Sequence, residues 1–257
     1  MDAPLHSDAE PQSAKSQPPR PFQFTLRYLL LAVLVVSVVL AIAMPVVRRL
    51  LSTKERFECN MNLYQIGAAM HSYHAVWGTL PPVITTDVDG KPMHSWRILI
   101  FPYLDVTTQR YDFSQPWNGP KNLKLAAHIF RCASDRRTKP NMTNYVAIYG
   151  PGTAWDVNKG IQFDEIIDGT SNTVLVVEIR DSDIHWMEPR DISFDDLKLT
   201  LNAKDGPSIG SYHVEGAIVA MADGSVRLLS PDEVETHLRA MLTIAGGERQ
   251  RDPLDSQ

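Results

Sequence analysis

The sequence predicts an α+β fold: one long N-terminal helix against a mainly antiparallel β-sheet, with a short helix near the C-terminus. Three observations predict it. A continuous apolar run is followed by a segment whose apolar residues recur at alternating steps of four and three, the period of a one-sided helix. Beyond Pro82 the chain turns into short β-branched runs separated by Gly, Pro, Asn and Asp. Close to the end, "SPDEVETHLRAMLTIAGG" carries the start and stop signals of a helix.

Taken in order, residues 1–22 are rich in Pro, Ser and Ala and hold few large apolar side chains. They bury too little surface to offset their ordering entropy, so residues 1–27 are expected to be a disordered tail. Tyr28–Val47 is twenty residues without a charge, bounded by Arg27 and by Arg48-Arg49. At 1.5 Å per residue it spans about 30 Å, the thickness of a bilayer core. Ala41-Ile42-Ala43 resembles the small-residue site at which a secretory signal is cut. The run continues past that site to Val47 and places Pro45 just behind the cut, which favours a retained transmembrane helix over 28–47. Basic residues flank both ends, so loop charge alone does not orient it.

The segment "KERFECNMNLYQIGAAMHSYHAVWG" puts Cys59, Leu63, Ile66, Met70, Tyr73 and Trp77 on one stripe, and Gly78 with Pro81-Pro82 ends it. This helix opens a domain spanning 48–248, followed by a polar tail over 249–257. "SWRILIFPYL" reads as strand or buried helix, limited by Pro102. "TNYVAIYG", "NTVLVVEI", "GAIVAMA" and "SVRLLS" have strand length and composition. Asp223-Gly224 joins the last two, the strongest short-range hairpin signal. In the final helix Ser230 is the N-cap, Pro231 the first helical residue and Glu233 the partner that closes a capping box; Val234, Leu238 and Met241 form the buried face.

The net charge of −5 and pI near 5.9, with scattered basic residues, argue against a nucleic-acid partner. Two cysteines, Cys59 and Cys132, fit neither a zinc site nor a dense disulfide framework. They form one bridge in an oxidising compartment or stay as buried thiols in a reducing one. No spacing stands out as an active site. His71 and His74 share a helical face but lack a supporting Glu or Cys, so they read as packed helix histidines. In "DGTSNTVLVVE" the side chains of Thr170, Ser171 and Asn172 bond nearby backbone, so the stretch reads as a loop that pins a strand. The alternative makes Asp168 and Glu178 calcium ligands. His213 and Asp223 are a conceivable acid–base pair, but no nucleophile motif accompanies them. A histidine bonded to the turn and holding the hairpin in place is the plainer reading.

In combination these stretches resemble a bacterial pseudopilin-like family of unknown function. Its members join a prepilin-type N-terminus to a domain that ends in a His, nine residues and Asp-Gly, met here by His213 and Asp223-Gly224. The other marks follow in order: "CNMNLYQIGAAMHSYH", "LPP", "HSWRILIFPYL", "CASD", "NYVAIYGPGTAW", "DGTSNTVLVVE" and "LTIAGGE". The resemblance implies a pilin-like fold, a cytoplasmic N-terminus, a domain outside the cell inner membrane and a Cys59–Cys132 disulfide. It makes Asp168, Gly169, Ser171, Asn172, Glu178, His213, Asp223 and Gly224 motif residues, which we read as structural. Family members begin Gly-Phe-Thr-Leu-x-Glu and are cut after the Gly by a prepilin peptidase. Here Phe24 is kept, but Gln23 stands for the Gly and Tyr28 for the Glu. That departure argues against cleavage and against filament assembly, because Tyr28 cannot offset a neighbour's terminal amine in lipid.

The expected function is that of a non-enzymatic, single-pass structural or interaction protein with an extracytoplasmic domain and no cofactor. Its partners would be inner-membrane lipid and other pseudopilin-like subunits or secretion-type machinery, with the oligomeric state open. The alternative is a membrane-tethered calcium- or carbohydrate-binding module, in which Trp77, Trp96, Trp117, Trp155 and Trp186 offer a sugar-stacking surface.

Overall fold

The computed structural model describes residues 26–104, 110–157 and 159–246. Of the disordered tail expected over 1–27, residues 1–25 with Gln23 and Phe24 lie outside the described residues, as does the tail over 249–257. Leu26 and Arg27 are instead already helical, continuing the apolar helix by two residues. Helix α1 runs Leu26–Trp77, and the chain divides into two compact units at Arg48/Arg49. In the first unit α1 is long and apolar enough to cross a membrane, and no residue of its most apolar window is buried. Tyr28 is exposed, in line with its neighbours.

In the second unit α1 buries Cys59, Leu63, Ile66, Gly67, Ala69 and Met70. The expected stripe fades at its end: Tyr73 is half-buried and Trp77 is 64% exposed, with its indole N–H donating to the Tyr103 hydroxyl. Gly78 stops the helix with a φ of 75°, a left-handed value that glycine adopts without strain, and its N–H donates to the His74 carbonyl.

A small antiparallel hairpin follows, β1 (Ile84–Thr86) with β2 (Pro92–Ser95). The ambiguous "SWRILIFPYL" resolves as helix, α2 (Trp96–Ile100), which passes into a 3₁₀ turn at Phe101–Tyr103 that accommodates Pro102. "TNYVAIYG" splits into β3 (Tyr145–Val146) and β4 (Ile148–Tyr149), which belong to different sheets. Strand β5 (Val174–Glu178) is followed by β6 (Ile192–Ser193), which pairs in parallel with β4. Then come β7 (Ala217–Met221), β8 (Val226–Leu229) and α3 (Pro231–Met241). The main sheet has the order β3-β5-β7-β8, antiparallel throughout.

The period-2 rule sorts this sheet's side chains between two cores. Along β7, Ile218 and Ala220 join α1, whereas Ala217, Val219 and Met221 join α3. Strand β5 is buried on both faces, as a continuous apolar run requires, and a bulge between Val174 and Val176 lets Leu175 and Val176 both join the α1 side. Glu178 follows Val177, which faces α3, so its carboxylate is placed on the α1 face. Helix α3 has the expected cap: Ser230 and Glu233 satisfy each other's backbone N–H groups, a device worth about 1 kcal/mol.

One element of the core has no local sequence signal. Arg97 on α2 and Asp191, the residue before β6, are both fully buried and paired at 2.6 Å. Asp191 also accepts the Trp96 indole N–H and the Ala147 amide, and Arg97 donates to the Tyr145 carbonyl. Burial pushes the Asp191 carboxyl up and the Arg97 guanidinium down, each opposed by the other's charge. Removing one partner of such a pair strands a buried charge. Asp191→Ala is therefore expected to cost about 3–5 kcal/mol in urea unfolding. Lys54→Ala, at the exposed pair with Glu58, is expected to change stability by less than about 0.5 kcal/mol.

Candidate functional site

The densest chemistry lies where α1 meets the main sheet. Cys59, from the buried stripe of α1, is bonded to Cys132, in the loop after the 3₁₀ turn His128–Phe130, with Cα atoms 5.2 Å apart. The bond closes 73 residues of chain, and a loop of that length corresponds to about 4 kcal/mol of lost unfolded-state entropy. Against the bridge sit Glu178, the last residue of β5, and His213, from the segment that leads into β7. His213 Nε2 is 3.5 Å from Cys132 Sγ and 3.8 Å from Glu178 Oε1. All four residues are buried, and among the described residues they offer donor atoms within 4.8 Å of one another.

Each member is held from outside the cluster. The Ala133 amide donates to Cys59 Sγ at 3.3 Å, and the Ile218 amide donates to Glu178 Oε2 at 3.1 Å. Ser134 Oγ donates to Glu55 Oε2 on α1 and stands 3.4 Å from His213 Nδ1. With its own hydrogen committed to Glu55, Ser134 is an acceptor for an N–H at Nδ1, which leaves Nε2 as the lone-pair nitrogen facing the sulfurs and Glu178. The loop is anchored by Asp135, whose carboxylate accepts from the Thr138 hydroxyl, the Asn144 amide and the backbones of Arg137, Thr138 and Asp181. Burial pushes Asp135 up, but those bonds outweigh it and hold its pKa below the ordinary value. Asn144 in turn accepts the Cys132 amide.

Burial raises the pKa of Glu178 to about 8, against the pull of bonds from Ile218 and Ser211 and with a push from Asp135. Burial also lowers that of His213, aided by Arg56 and opposed by Glu55. At neutral pH the pair is thus a protonated carboxyl facing a neutral imidazole. At 3.8 Å it is neither an ion pair nor a direct hydrogen bond. Ser134, His213 and Glu178 are in contact order like a hydrolytic triad. However, the hydroxyl is committed to Glu55 and the acid is neutral, so nothing draws a proton from Ser134.

The residues singled out in the sequence are thus divided. Glu178 and His213 come together; Asp168 and Asp223 go elsewhere. His213 meets Glu178 and Cys132 rather than the hairpin turn, and the expected turn-bonding histidine is not what forms. Asp223 accepts from the amide and hydroxyl of Ser225 within its own turn, where Gly224 has a φ of 83°. That turn seats on α1: a side chain at Gly67 would meet Gly224 Cα at 3.4 Å. Asp168 accepts the Gly246 amide, Asn172 donates to the Asp168 carbonyl, and Gly169 turns at φ 93°, so the loop pins the start of β5 while Ser171 stays exposed. Asp168 and Glu178 therefore do not converge as a calcium pair. Of the tryptophans, Trp96, Trp155 and Trp186 fill the core, Trp117 is half-buried and Trp77 is exposed, so a five-residue sugar surface does not form. His71 and His74 stack on Phe163.

The part of the cluster that sequence reading missed is its convergence. The Cys59–Cys132 disulfide that the resemblance implied is present, whereas the arrival of Glu178 and His213 beside it had no signal beyond their residue types.

An α+β domain with an internal disulfide, preceded in the chain by a helical run apolar enough to cross a membrane, is the class that this fold and site define. Residues 52–201 match the model of the family described as protein of unknown function (DUF1559), and the chain belongs to that family. Comparison with curated proteins and with solved structures finds no match.

Glu178 generates a pH signature in the bridged domain. Its folded pKa lies above its unfolded one, so the stability it contributes is complete below the ordinary carboxylate pKa and is lost as pH rises to about 8. His213 titrates with the opposite sign, because its folded pKa is lowered, and its contribution ends near pH 6.5. Between about pH 6.5 and 8 the unfolding free energy is expected to fall by up to about 1.4 kcal/mol per pH unit. Denaturant titrations at several pH values measure the slope. Glu178→Gln should flatten it, and an unchanged slope in that variant would assign the effect elsewhere.

Proposed function

We propose that this chain is a single-pass membrane protein whose domain works outside the cytoplasmic membrane as a structural or interaction component, without enzymatic activity of its own. The carrying observation is the split character of α1. Its apolar first part buries none of its side chains, while its second part supplies the stripe that packs the domain. An exposed run of that kind in water would be a severe aggregation liability, and a bilayer core removes the penalty. The Cys59–Cys132 bridge supports the orientation, because disulfides persist in oxidising compartments. The N-terminus is then cytoplasmic and the domain extracytoplasmic, in the inner membrane of a bacterium with two membranes.

The likeness to pseudopilins supplies the finer reading. The prepilin-type Phe24 is retained, whereas Gln23 and Tyr28 replace the residues that serve cleavage and assembly, so the helix acts as a kept anchor. His213 and Asp223-Gly224 act structurally in this reading, through the buried cluster and the hairpin turn on α1. Partners are other helices in the membrane and proteins that meet the domain's surface, pseudopilin-like subunits or secretion-type machinery among them.

Mass spectrometry of the membrane-extracted protein tests the reading. A peptide containing residues before Phe24 is expected. A new N-terminus at Phe24, above all a methylated one, would restore a processed pseudopilin. A terminus at Met44 would make the apolar run a removed signal and the domain a released protein.

A further inference from the structure

The buried cluster has a property that the bridge alone does not require. A disulfide needs only packing around it. Here its two sulfurs share a pocket with an imidazole nitrogen and a carboxylate oxygen, and every other polar atom of those two side chains is already engaged. His213 Nδ1 is directed to Ser134, which is tied to Glu55, and Glu178 Oε2 is tied to the Ile218 amide. His213 Nε2 and Glu178 Oε1 face each other beside the bridge at 3.8 Å, and Ser211 adds a further bond to the Glu178 carboxylate. An N–H donated from histidine's other ring nitrogen and a bonded second carboxylate oxygen are the outer contacts that orient metal ligands. The Ala133 amide at 3.3 Å from Cys59 Sγ adds an N–H···S contact that stabilises charge on sulfur.

We infer that the reduced form of this domain is a tetrahedral zinc site in which Cys59, Cys132, His213 Nε2 and Glu178 Oε1 are the ligands. Two thiolates, one imidazole and one carboxylate form a donor set that Zn²⁺ takes in four-coordinate geometry. Bonds of about 2.0–2.3 Å at tetrahedral angles place neighbouring donors somewhat under 4 Å apart. The present 3.5 Å from His213 Nε2 to Cys132 Sγ already matches such an edge, and the 3.8 Å to Glu178 Oε1 must shorten by roughly 0.4 Å. The two sulfurs must part, and the donors, now within 4.8 Å of one another, must close in on a common centre. The step to the site is balanced by a dithiol reductant. Its two thiols become a disulfide, two electrons pass to the Cys59–Cys132 bond, and two protein thiols result. Zinc binding then releases the thiol protons and any proton on the Glu178 carboxyl. A cavity of about 820 Å³ that reaches Cys132, lined by Glu58, Asn62, Arg131 and Arg136 among others, gives the reductant and the metal an approach. Either clamp ties α1 to the loop at 132, one covalent and one coordinate, so the fold is held in both redox states.

Cobalt reports such a site directly. The full chain in detergent, reduced with a phosphine and titrated with Co²⁺, is expected to develop the visible bands of tetrahedral cobalt and a near-ultraviolet thiolate-to-metal band. The bands should saturate at one metal per chain and be displaced by Zn²⁺. The oxidised chain should show none. His213→Gln and Glu178→Gln should each weaken binding by at least about tenfold, and Ser134→Ala, which leaves all four ligands, by about tenfold as well. Far-ultraviolet circular dichroism separates lost ligation from lost fold. If reduction itself unfolds the chain, Zn²⁺ must restore the helical signal. A reduced chain that binds no cobalt, that Zn²⁺ does not refold, or that binds equally well in the His213 and Glu178 variants overturns the assignment.

Discussion

The bond between Cys59 and Cys132 is the constraint on which the domain's arrangement depends. The main sheet has four strands, two of them long enough to be buried throughout, and the core on its α1 face is filled by α1 together with α2 and loop residues. Helix-on-sheet burial of Leu63, Ile66 and Met70 is non-directional and does not by itself fix where the helix sits along the sheet. The disulfide does, by joining α1 to a loop that Asp135 and Asn144 hold rigidly against the end of β5. Glu178 and His213 then pack behind the sulfurs, and all four residues are buried.

Much of the chain between the strands is irregular, and irregular backbone that is buried needs side-chain partners for its amides and carbonyls. Three buried polar groups supply them. Asp135 organises the segment 131–138 and reaches Asp181. Asp191 with Arg97 ties α2 to the strand pair β4–β6 through the Ala147 amide. Asn122 bridges the backbone of residues 112–116. Each is costly to bury alone and is satisfied by several bonds at once, so the loops depend on these hubs much as the sheet depends on its ladder.

What was legible in the sequence was what local periodicity or turn chemistry encodes. The stripe of α1, the Ser230–Glu233 capping box, the Asp223-Gly224 hairpin and the doubly buried β5 all follow from residues within a few positions of each other. Short apolar runs read less well. "SWRILIFPYL" formed a helix, and "TNYVAIYG" broke between two sheets, because tertiary pairing rather than propensity decides such runs. The candidate site was legible only as motif residues. Nothing local tells Glu178 to seek His213 rather than Asp168, or Arg97 to seek Asp191, since these pairs are separated by long stretches of chain. Only Arg97 and Glu178 stand as charged residues inside otherwise apolar runs, which an interior tolerates only with a partner; nothing in the sequence points to Asp191 or His213 as those partners. The apolar half of α1 was legible for the opposite reason: a run long and apolar enough to cross a bilayer is read from length and composition without tertiary information.

The helix–sheet junction is bridged in the native protein. Gel-shift labelling with a polymer-linked maleimide tests that most directly, on membranes denatured in the presence of the reagent. We expect no shift without reductant and a shift of two labels per chain after reduction. Two labels per chain without reductant would mean that Cys59 and Cys132 are free thiols in the native protein, and the covalent clamp at the centre of this account would be wrong.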